Sequence, residues 1–295
     1  MIRRGLRREL GFAALARITD EAICVRHWDW SETSQTVALF TREHGLLRGL
    51  AKGAKREKSA FSGGFELLTR GEVGAIVKPS GGLATLTSWD LREAFLGFRR
   101  SLRAHYAGLY VADLVGSLLT EEDPHPALYD RTVEALRALA EAGGNGGRLA
   151  EQARVLAGYQ LAILDETGYR PELTADVRTG AAITAAEVYG FDAELGGLVP
   201  DAGSERAGVW RVRAETLDLL RALQSRDEKH SANGGEAGPT GKIGTPNQVG
   251  TGLASGESLW RANRLLAAYI RAKLGEEPRS MRLLLAEFPR SEGDS

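Results

Sequence analysis

The sequence predicts an α+β protein in which a strand-rich N-terminal domain precedes a helical domain. Between Glu21 and Trp89 the chain holds short apolar runs separated by turn-forming residues, which is typical of β-strands. After Asp90 the apolar residues recur at intervals of three and four, which indicates helices. A chain of 295 residues is long enough for two such domains.

Five runs have the length and the composition of strands. They are rich in Val, Ile, Leu, Thr and Trp, and their sequences are AICVRHW, TVALFT, LLRGLAK, GEVGAIVK and LATLTSW. Turn formers at 30–34 and 79–82 separate neighbouring runs. Short strands this close together predict a small barrel or sandwich. We expect Trp28, Trp30 and Trp89 to pack in that core.

The helical half contains two well-marked apolar stripes, at 106–118 and 149–163. Gly168 and Gly275 are suited to end helices, and Ser258 to begin one. Between these helices two segments have no helical period. The first, 171–213, is expected to be a compact irregular insert. The second, 231–258, is rich in glycine and almost free of apolar residues, so we expect a disordered loop.

Charge is unevenly distributed along the chain. The net charge is -1, yet residues 1–100 hold 17 Lys and Arg against 11 Asp and Glu, which leaves the remainder acidic. A basic first part of this kind indicates nucleic-acid contact by that part alone. Uneven but unused surface charge is the alternative reading.

The single cysteine and the hydropathy point to the cytoplasm. Cys24 has no partner within the chain for a disulfide, which fits a reducing compartment. No uncharged apolar run reaches the roughly 18 residues that a membrane span requires. The basic start, MIRRGLRRELGFAALAR, is interrupted by Glu9, so we expect a basic arm at residues 1–19 and no secretory signal.

Motifs of enzyme sites are missing from the sequence. The segment 238–243, GPTGKI, resembles a phosphate-binding loop, but Glu236 and Ile243 stand where glycine and a hydroxyl residue are needed. The five histidines show no metal-ligand spacing, and the acidic run 121–123 has the pattern of a solvated turn. We therefore expect a protein that is not an enzyme and that needs no cofactor.

A dense run of cations is the strongest functional signal. Residues 42–58 hold six basic residues against two acidic ones, and glycines interleave them. Flexible cations on an open backbone suit phosphate binding without sequence choice, although a merely solvated loop remains the alternative. Phe61 and Phe65 are available for base stacking, while Phe40 is expected in the core. The six cations are Arg42, Arg48, Lys52, Lys55, Arg56 and Lys58.

The same stretch resembles a known family. ETSQTVALFTREHGLLRGLAKGAKREKS, residues 32–59, is similar to the N-terminal region of the RecO family of bacterial recombination mediators. The resemblance continues in order through GGLATLTSWDLREAF, LDETGYRP and NRLLAAYIRAKLGEEPRSMRLL, and it covers nearly the whole chain from residue 21 onward. No single piece is specific, but the ordered set is.

The resemblance implies a five-stranded OB-fold barrel at 20–98 followed by an α-helical domain at 99–295. Family members bind single- and double-stranded DNA and anneal complementary strands. With RecR, and commonly with single-strand-binding protein (SSB) through its acidic tail, they load RecA onto gapped DNA. The protein is then expected in the bacterial cytoplasm, associated with the nucleoid. Carried over by position, the six cations are the candidate DNA contacts, with Arg70 as a further one.

This chain departs from the family at a metal site. Many members carry two cysteine pairs that bind zinc in the helical domain. The matching positions here are Asp176, Thr179, Pro200 and Gly203. Because none is a cysteine, we predict that no structural zinc is bound and that packing and hydrogen bonds hold the insert.

Two competing functions follow from the same residues. One is a protein–protein adaptor of the repair machinery with little DNA binding of its own, in which the acidic helical part does the work. The other is an RNA-binding OB-fold protein. Competition between DNA and RNA oligonucleotides separates the second from a DNA-binding mediator.

Overall fold

The computed structural model describes residues 15–61, 64–78, 81–144, 149–200, 208–232 and 256–287. Three expectations lie wholly or mainly outside those residues: the first part of the basic arm, most of the glycine-rich loop with its GPTGKI segment, and the position Gly203.

Five strands form the N-terminal domain, and they close into a barrel in the order β1-β2-β3-β5-β4. All neighbours are antiparallel except β3 and β5, which pair in parallel. This is the strand order of an OB fold, and the predicted α+β class is confirmed. The strands are β1 (Ala16–Asp29), β2 (Gln35–Thr41), β3 (Gly45–Ala51), β4 (Arg70–Val77) and β5 (Ala84–Glu93).

The long strand β1 closes the barrel because it pairs with β2 over one part and with β4 over the other. Its first residues, Ala16–Thr19, lie opposite Gly74–Val77, so the expected extension at 1–19 is wrong for this part. Ile18 explains the longer strand, since its side chain packs against the barrel interior. A bulge between Cys24 and Arg26 then shifts the register.

In the described residues of the C-terminal part there are six helices, together with a 3₁₀ turn at Leu96–Arg99. Both predicted stripes lie on helices, and Gly168 and Gly275 follow helix ends with φ of +78° and +71°. The helices are α1 (Leu102–Leu118), α2 (Pro126–Gly144), α3 (Leu149–Glu166), α4 (Ala214–Ala232), α5 (Gly256–Leu274) and α6 (Met281–Ala286).

The limits of the predicted disordered loop, 231–258, need correction at both ends. Helix α4 continues to Ala232 and α5 begins at Gly256. Ser258 is therefore buried inside α5 and is not its N-cap. The residues between these helices lie outside the described part of the chain.

The segment 171–213 is more regular than expected. Its described residues contain three short antiparallel strands in the order β7-β6-β8, with bounds β6 (Val188–Asp192), β7 (Gly197–Val199) and β8 (Val209–Arg213). Strands of three to five residues are too short to show a period in the sequence.

The barrel packs on the helices through the outward side chains of its first strands. Inward residues such as Leu39 and Trp89 fill the barrel, whereas Ile23, Phe40 and Leu46 belong to the core shared with the helices. Phe40 meets Tyr129 of α2 edge-on, with ring centroids 5.5 Å apart. Both faces of the barrel wall are thus buried on this side.

Candidate nucleic-acid interface

The loop that follows β3 carries most of the predicted DNA contacts, and the barrel holds it in place. We call residues 52–58 the cation loop. Gly53, with φ of +71°, turns the chain, and its N–H donates to Ser34 Oγ at 3.2 Å. The N–H of Lys55 donates to Thr33 O at 3.1 Å, and Ala54 is fully buried. The loop therefore lies against the β1–β2 turn, residues 30–34.

Three cations of this loop point into solvent. Lys52, Arg56 and Lys58 are exposed and form no ion pair with any described residue. Lys55 differs, because its Nζ lies 2.6 Å from Asp29 Oδ1. The hydrogen bond from Lys55 lowers the pKa of Asp29 below its usual value.

The remaining predicted contacts are held by carboxylates where the barrel meets the helices. Arg42 forms a bidentate pair with Asp130 of α2, at 3.0 and 2.8 Å. Arg48 Nε lies 2.9 Å from a Glu121 carboxylate oxygen, just after α1. Arg70 pairs with Glu21 and Glu93, which are both barrel residues. We call Arg42, Arg48 and Arg70 the seam arginines.

Arg70 is the most enclosed seam arginine. Its Nη2 donates to both Glu21 oxygens at 3.0 and 2.9 Å, and its Nη1 lies 3.4 Å from Glu93. Arg137 of α2 donates to the same Glu93 at 2.7 Å, and this hydrogen bond is the main cause that lowers the pKa of Glu93. Glu93 thus joins the barrel to α2. The role of each seam arginine in DNA binding stays a prediction.

The aromatic side chains are arranged differently from the sequence-based expectation. Phe61 and Phe65 are buried and cannot stack on bases, because they anchor the chain after the cation loop into the barrel core. Phe40 and Trp89 are buried, as expected. Trp28 and Trp30 are 43% and 65% exposed, so their predicted core packing is wrong.

The two exposed tryptophans lie beside the cation loop. Strand register places Trp28 opposite Thr36, Thr36 opposite Leu50, and Leu50 opposite Thr85 on the outer face of the barrel. Trp30 opens the β1–β2 turn that the cation loop contacts. The outer faces of β2 and β3 and the β1–β2 loop are where OB folds bind oligonucleotides.

Arg26 is the residue in the sequence from which the position of Trp28 on the outer face of the barrel could be predicted. Simple alternation from Ala22 and Cys24, which point inward, would put both Arg26 and Trp28 inside the barrel. A charged guanidinium has no place in that apolar interior, so a bulge before Arg26 is required. The structure has this bulge, and the Arg26 guanidinium carbon lies 6.0 Å from the Trp28 ring centroid.

A second candidate surface is an apolar groove between α2 and α3, with a volume of about 560 Å³. Ala135, Ala138, Val155 and Tyr159 line it, and Gly158 lies among them with open space where a Cβ would stand. Three arginines and one glutamate also line this groove: Arg131, Arg154, Arg226 and Glu134.

Two of the positions that match the family's zinc ligands, Asp176 and Thr179, lie in a hydrogen-bonded turn. Asp176 accepts from Thr179 Oγ1 at 2.7 Å and from the Arg178 N–H at 3.0 Å. Arg178 then donates to buried Asp192 at 2.7 Å, which links this turn to β6. Among the described residues, no group of three or more His, Cys, Asp or Glu side chains could hold a metal ion. Within the same residues no helix is long and apolar enough to cross a bilayer.

Comparison with known proteins agrees with this architecture. Residues 15–95 match the family model "Recombination protein O N terminal", and residues 99–234 match "Recombination protein O C terminal". "DNA repair protein RecO" of Rhodopirellula baltica is 32% identical over 209 residues, which cover 70% of this chain and 75% of that protein. "DNA repair protein RecO" of an Azoarcus species is 33% identical over 229 residues, covering 73% and 86%. The chain therefore belongs to the RecO family.

Proposed function

We propose that this protein is a DNA repair and recombination mediator that binds single- and double-stranded DNA, anneals complementary strands, and with RecR helps load RecA onto SSB-coated DNA. The observation that carries the proposal is the cation loop, in which Lys52, Arg56 and Lys58 are exposed and unpaired among the described residues. Membership of the RecO family supports the class of process. The role is one of binding and positioning, without a catalytic step.

Electrostatics supply the mechanism. Each phosphate that a lysine or arginine neutralises releases a condensed counterion, so binding is driven without regard to base sequence. Cations at close spacing also screen the repulsion between two phosphate backbones, which lowers the barrier to pairing. Because buried Ala54 and the bond between the Lys55 N–H and Thr33 hold the loop backbone, little ordering entropy is lost when DNA binds.

Charge reversal of the three exposed cations tests the proposal. The variant Lys52→Glu, Arg56→Glu, Lys58→Glu should weaken binding of an oligo-dT by about 100-fold and make the log–log salt slope shallower by roughly 2. The variant Arg99→Glu, Arg100→Glu, Arg282→Glu makes the same charge change at exposed positions outside the loop. It should bind DNA within about two-fold of the parent, allowing for long-range charge.

The readout is fluorescence anisotropy across a salt series, with annealing of SSB-coated complementary strands measured in parallel. If the loop variant folds and binds DNA like the parent, the assignment is wrong and the adaptor function gains support. A preference for an RNA oligonucleotide over DNA of the same sequence would favour the RNA-binding alternative.

The exposed tryptophans add a preference for unpaired bases. Trp28 and Trp30 can stack on the bases of a single strand but not on bases stacked within a duplex. Removing both, as Trp28→Ala with Trp30→Ala, should cost at least about ten-fold in single-strand affinity, given roughly 1–3 kcal/mol for each base stack. Duplex affinity should change by less than about two-fold, because phosphate contacts dominate it. Equal losses for both substrates would contradict the stacking role.

The groove between α2 and α3 is suited to the acidic tail of SSB, which ends in phenylalanine. Its apolar floor accommodates an aromatic side chain, and its arginines complement the acidic residues and the terminal carboxylate. The groove therefore supports direct contact with SSB, separate from the cation loop.

A glycine on the groove floor gives a sharp test of this site. A Cβ at Gly158 would meet no atom within 4 Å, so Gly158→Leu should project into the groove and block a fluorescent SSB-tail peptide while stabilising α3, because glycine is costly inside helices. Gly116 of α1 also faces open space, and Gly116→Leu is the matched control outside the groove. Undiminished peptide binding by the Gly158 variant would exclude this groove as the tail site.

A further inference from the structure

A large basic groove on the helical domain plays no part in the function proposed above. It lies between strand β8 and helix α5, near the start of α4, and has a volume of about 1000 Å³. Two glutamates, Glu187 and Glu215, lie among its lining residues. Its five arginines are Arg211, Arg213, Arg261, Arg264 and Arg271. Arg261 pairs with Glu257 and Arg271 with Glu277, yet arginines outnumber glutamates among the lining residues, in a part of the chain that is acidic as a whole.

Strand β8 is an edge strand beside this groove. It is the last strand of the order β7-β6-β8, and β6 is the one strand of the described residues that pairs with it. The Ala193 N–H donates to Gly208 O at 3.1 Å, and the Ala214 N–H donates to Glu187 O at 2.9 Å. Because bonded pairs alternate along an antiparallel ladder, every second residue of β8 turns its N–H and C=O away from β6. Those residues are Val209, Arg211 and Arg213.

The outward edge carries charge as well as free backbone groups. Arg211 and Arg213 are exposed and form no ion pair with the described part of the chain. Two residues apart on one strand, their side chains share a face and repeat at about 6.6 Å. The stacked pair of Trp210 and Phe191, at an interplanar angle of 11°, and the buried Val212 hold β8 in place from its other face.

We propose that this edge binds an extended acidic segment of a partner protein, which adds to β8 as a further strand. Main-chain hydrogen bonds to Arg211 and Arg213 would hold the segment, as in other cases of β-strand addition. Acidic side chains at alternate positions would pair with these arginines across the new ladder, since their spacing is the same. The arginines of α5 form the opposite wall of the groove.

The geometry favours a peptide over a nucleic acid. A phosphate backbone could accept bonds from the arginines and the outward N–H groups, but it has no donors for the outward carbonyl groups of β8. A peptide strand satisfies both. The inference does not rest on DNA binding by the barrel, because none of the groove residues belongs to the cation loop.

The probe is a fluorescent peptide with alternating glutamate and valine, Glu-Val-Glu-Val-Glu-Val, measured against the full chain by anisotropy. One control peptide has glutamine for each glutamate, and another groups the three glutamates together. The variant Arg211→Glu, Arg213→Glu should weaken binding of the alternating peptide by about ten-fold, because opposite charges become like charges. The control variant Arg17→Glu, Arg100→Glu, at positions outside the groove, should bind the alternating peptide as the parent does.

The backbone contribution is separated from charge at one position. Arg211→Gln removes the charge and keeps the N–H, whereas Arg211→Pro removes both without breaking a bond to β6, because that N–H faces outward. The proline variant should therefore bind the peptide at least about three-fold more weakly than the glutamine variant, because it cannot form one main-chain hydrogen bond to the peptide. Circular dichroism and the DNA affinity of the barrel report whether each variant is folded.

Three results would overturn the inference. The first is that the alternating peptide does not bind the parent protein. The second is that the glutamine peptide or the grouped peptide binds equally well. The third is that an oligo-dT, and not the peptide, loses affinity in the Arg211→Glu, Arg213→Glu variant, which would make the groove a nucleic-acid site. Failure of the Lys52, Arg56, Lys58 experiment alone would leave this inference intact.

Discussion

The seam arginines and the cation loop are close in sequence yet differ in what surrounds them. Arg48 and Lys52 are four residues apart, but a carboxylate from the helical domain pairs with the first and none among the described residues pairs with the second. A guanidinium already hydrogen-bonded to carboxylates attracts phosphate weakly, because the neighbouring negative charge opposes it. The density of cations locates the basic region, whereas their carboxylate partners determine which of them are available to bind a phosphate.

Removal of Arg70 should separate the two groups most clearly. Arg70→Leu removes the partly buried partner of Glu21 and leaves Glu93 with Arg137 alone, so the free energy of unfolding should fall by about 2 kcal/mol, between the values for exposed and buried pairs. The Arg70→Leu change should alter DNA affinity by less than about two-fold, because salt screens a charge that is distant from the bound DNA. Lys52→Leu is the matched change in the loop and should do the reverse. Urea unfolding and anisotropy measure the two effects, and a large loss of DNA binding by folded Arg70→Leu would make Arg70 a DNA contact.

Acid should lower the stability of the contact between the barrel and α2, because Glu93 becomes protonated. The pKa of Glu93 in the folded chain lies below its usual value of 4.5, chiefly because of the hydrogen bond from Arg137. Its contribution to stability is therefore fully present above pH 4.5 and is lost as the pH falls through the lower, folded-state pKa. For this partly exposed group we expect about 1 kcal/mol. Between pH 4.5 and more acidic conditions, the free energy of unfolding should fall less for Glu93→Gln than for the parent protein. If the two proteins show the same dependence of this free energy on pH, Glu93 is not the group responsible.

The pair of Arg42 and Asp130 should contribute less. Both side chains are partly exposed, so a double-mutant cycle with Arg42→Ala and Asp130→Ala should give a coupling of about 0.5–1 kcal/mol, at the upper end for exposed pairs because the contact is bidentate. Asp130→Ala alone should also free Arg42 and leave DNA binding equal or slightly tighter. A weakening of DNA binding by Asp130→Ala would show that the pair positions the interface.

Lys55 is the intermediate case and should give the smallest effect. Asp29→Asn removes the carboxylate that pairs with Lys55. Lys55 then has no ion pair with the described residues, like Lys52, Arg56 and Lys58. DNA affinity should rise about two- to three-fold, as expected for removing one nearby negative charge at the surface. Asp90→Asn, at an exposed carboxylate of β5 that pairs with Arg92, is the control. An unchanged affinity for Asp29→Asn would place Lys55 outside the interface.

Periodicity was sufficient for the regular elements and failed where a local irregularity intervened. The five strands and the main helices follow from apolar spacing, because burial of one face imposes that spacing. Trp28 was misplaced because alternation assumes an unbroken strand, and the bulge before Arg26 reverses the faces beyond it. The small sheet of the insert is not evident from the sequence because strands of three to five residues are too short to show a period.

Phe61 and Phe65 are the opposite case, because the sequence suggests exposed rings and the fold buries them. In the sequence they follow a run of cations and have the composition of a stacking surface. In the fold the loop returns over the end of the barrel, and these rings close its core next to Trp89. No property of the residues themselves distinguishes them from the exposed tryptophans.

By itself the sequence determined the fold class, the family and the basic region, since these depend on composition and spacing that local burial imposes. Which cations are free, which aromatics are exposed, and the position of the β8 edge opposite three arginines of α5 all depend on the tertiary structure. Charges and rings act through the atoms within a few ångströms of them, and those atoms come from parts of the chain far apart in sequence. Asp130 and Glu121 reach the arginines of the barrel only because the helical domain packs on it, whereas Glu93 is a barrel residue that lies opposite Arg70 in the pairing of β4 with β5.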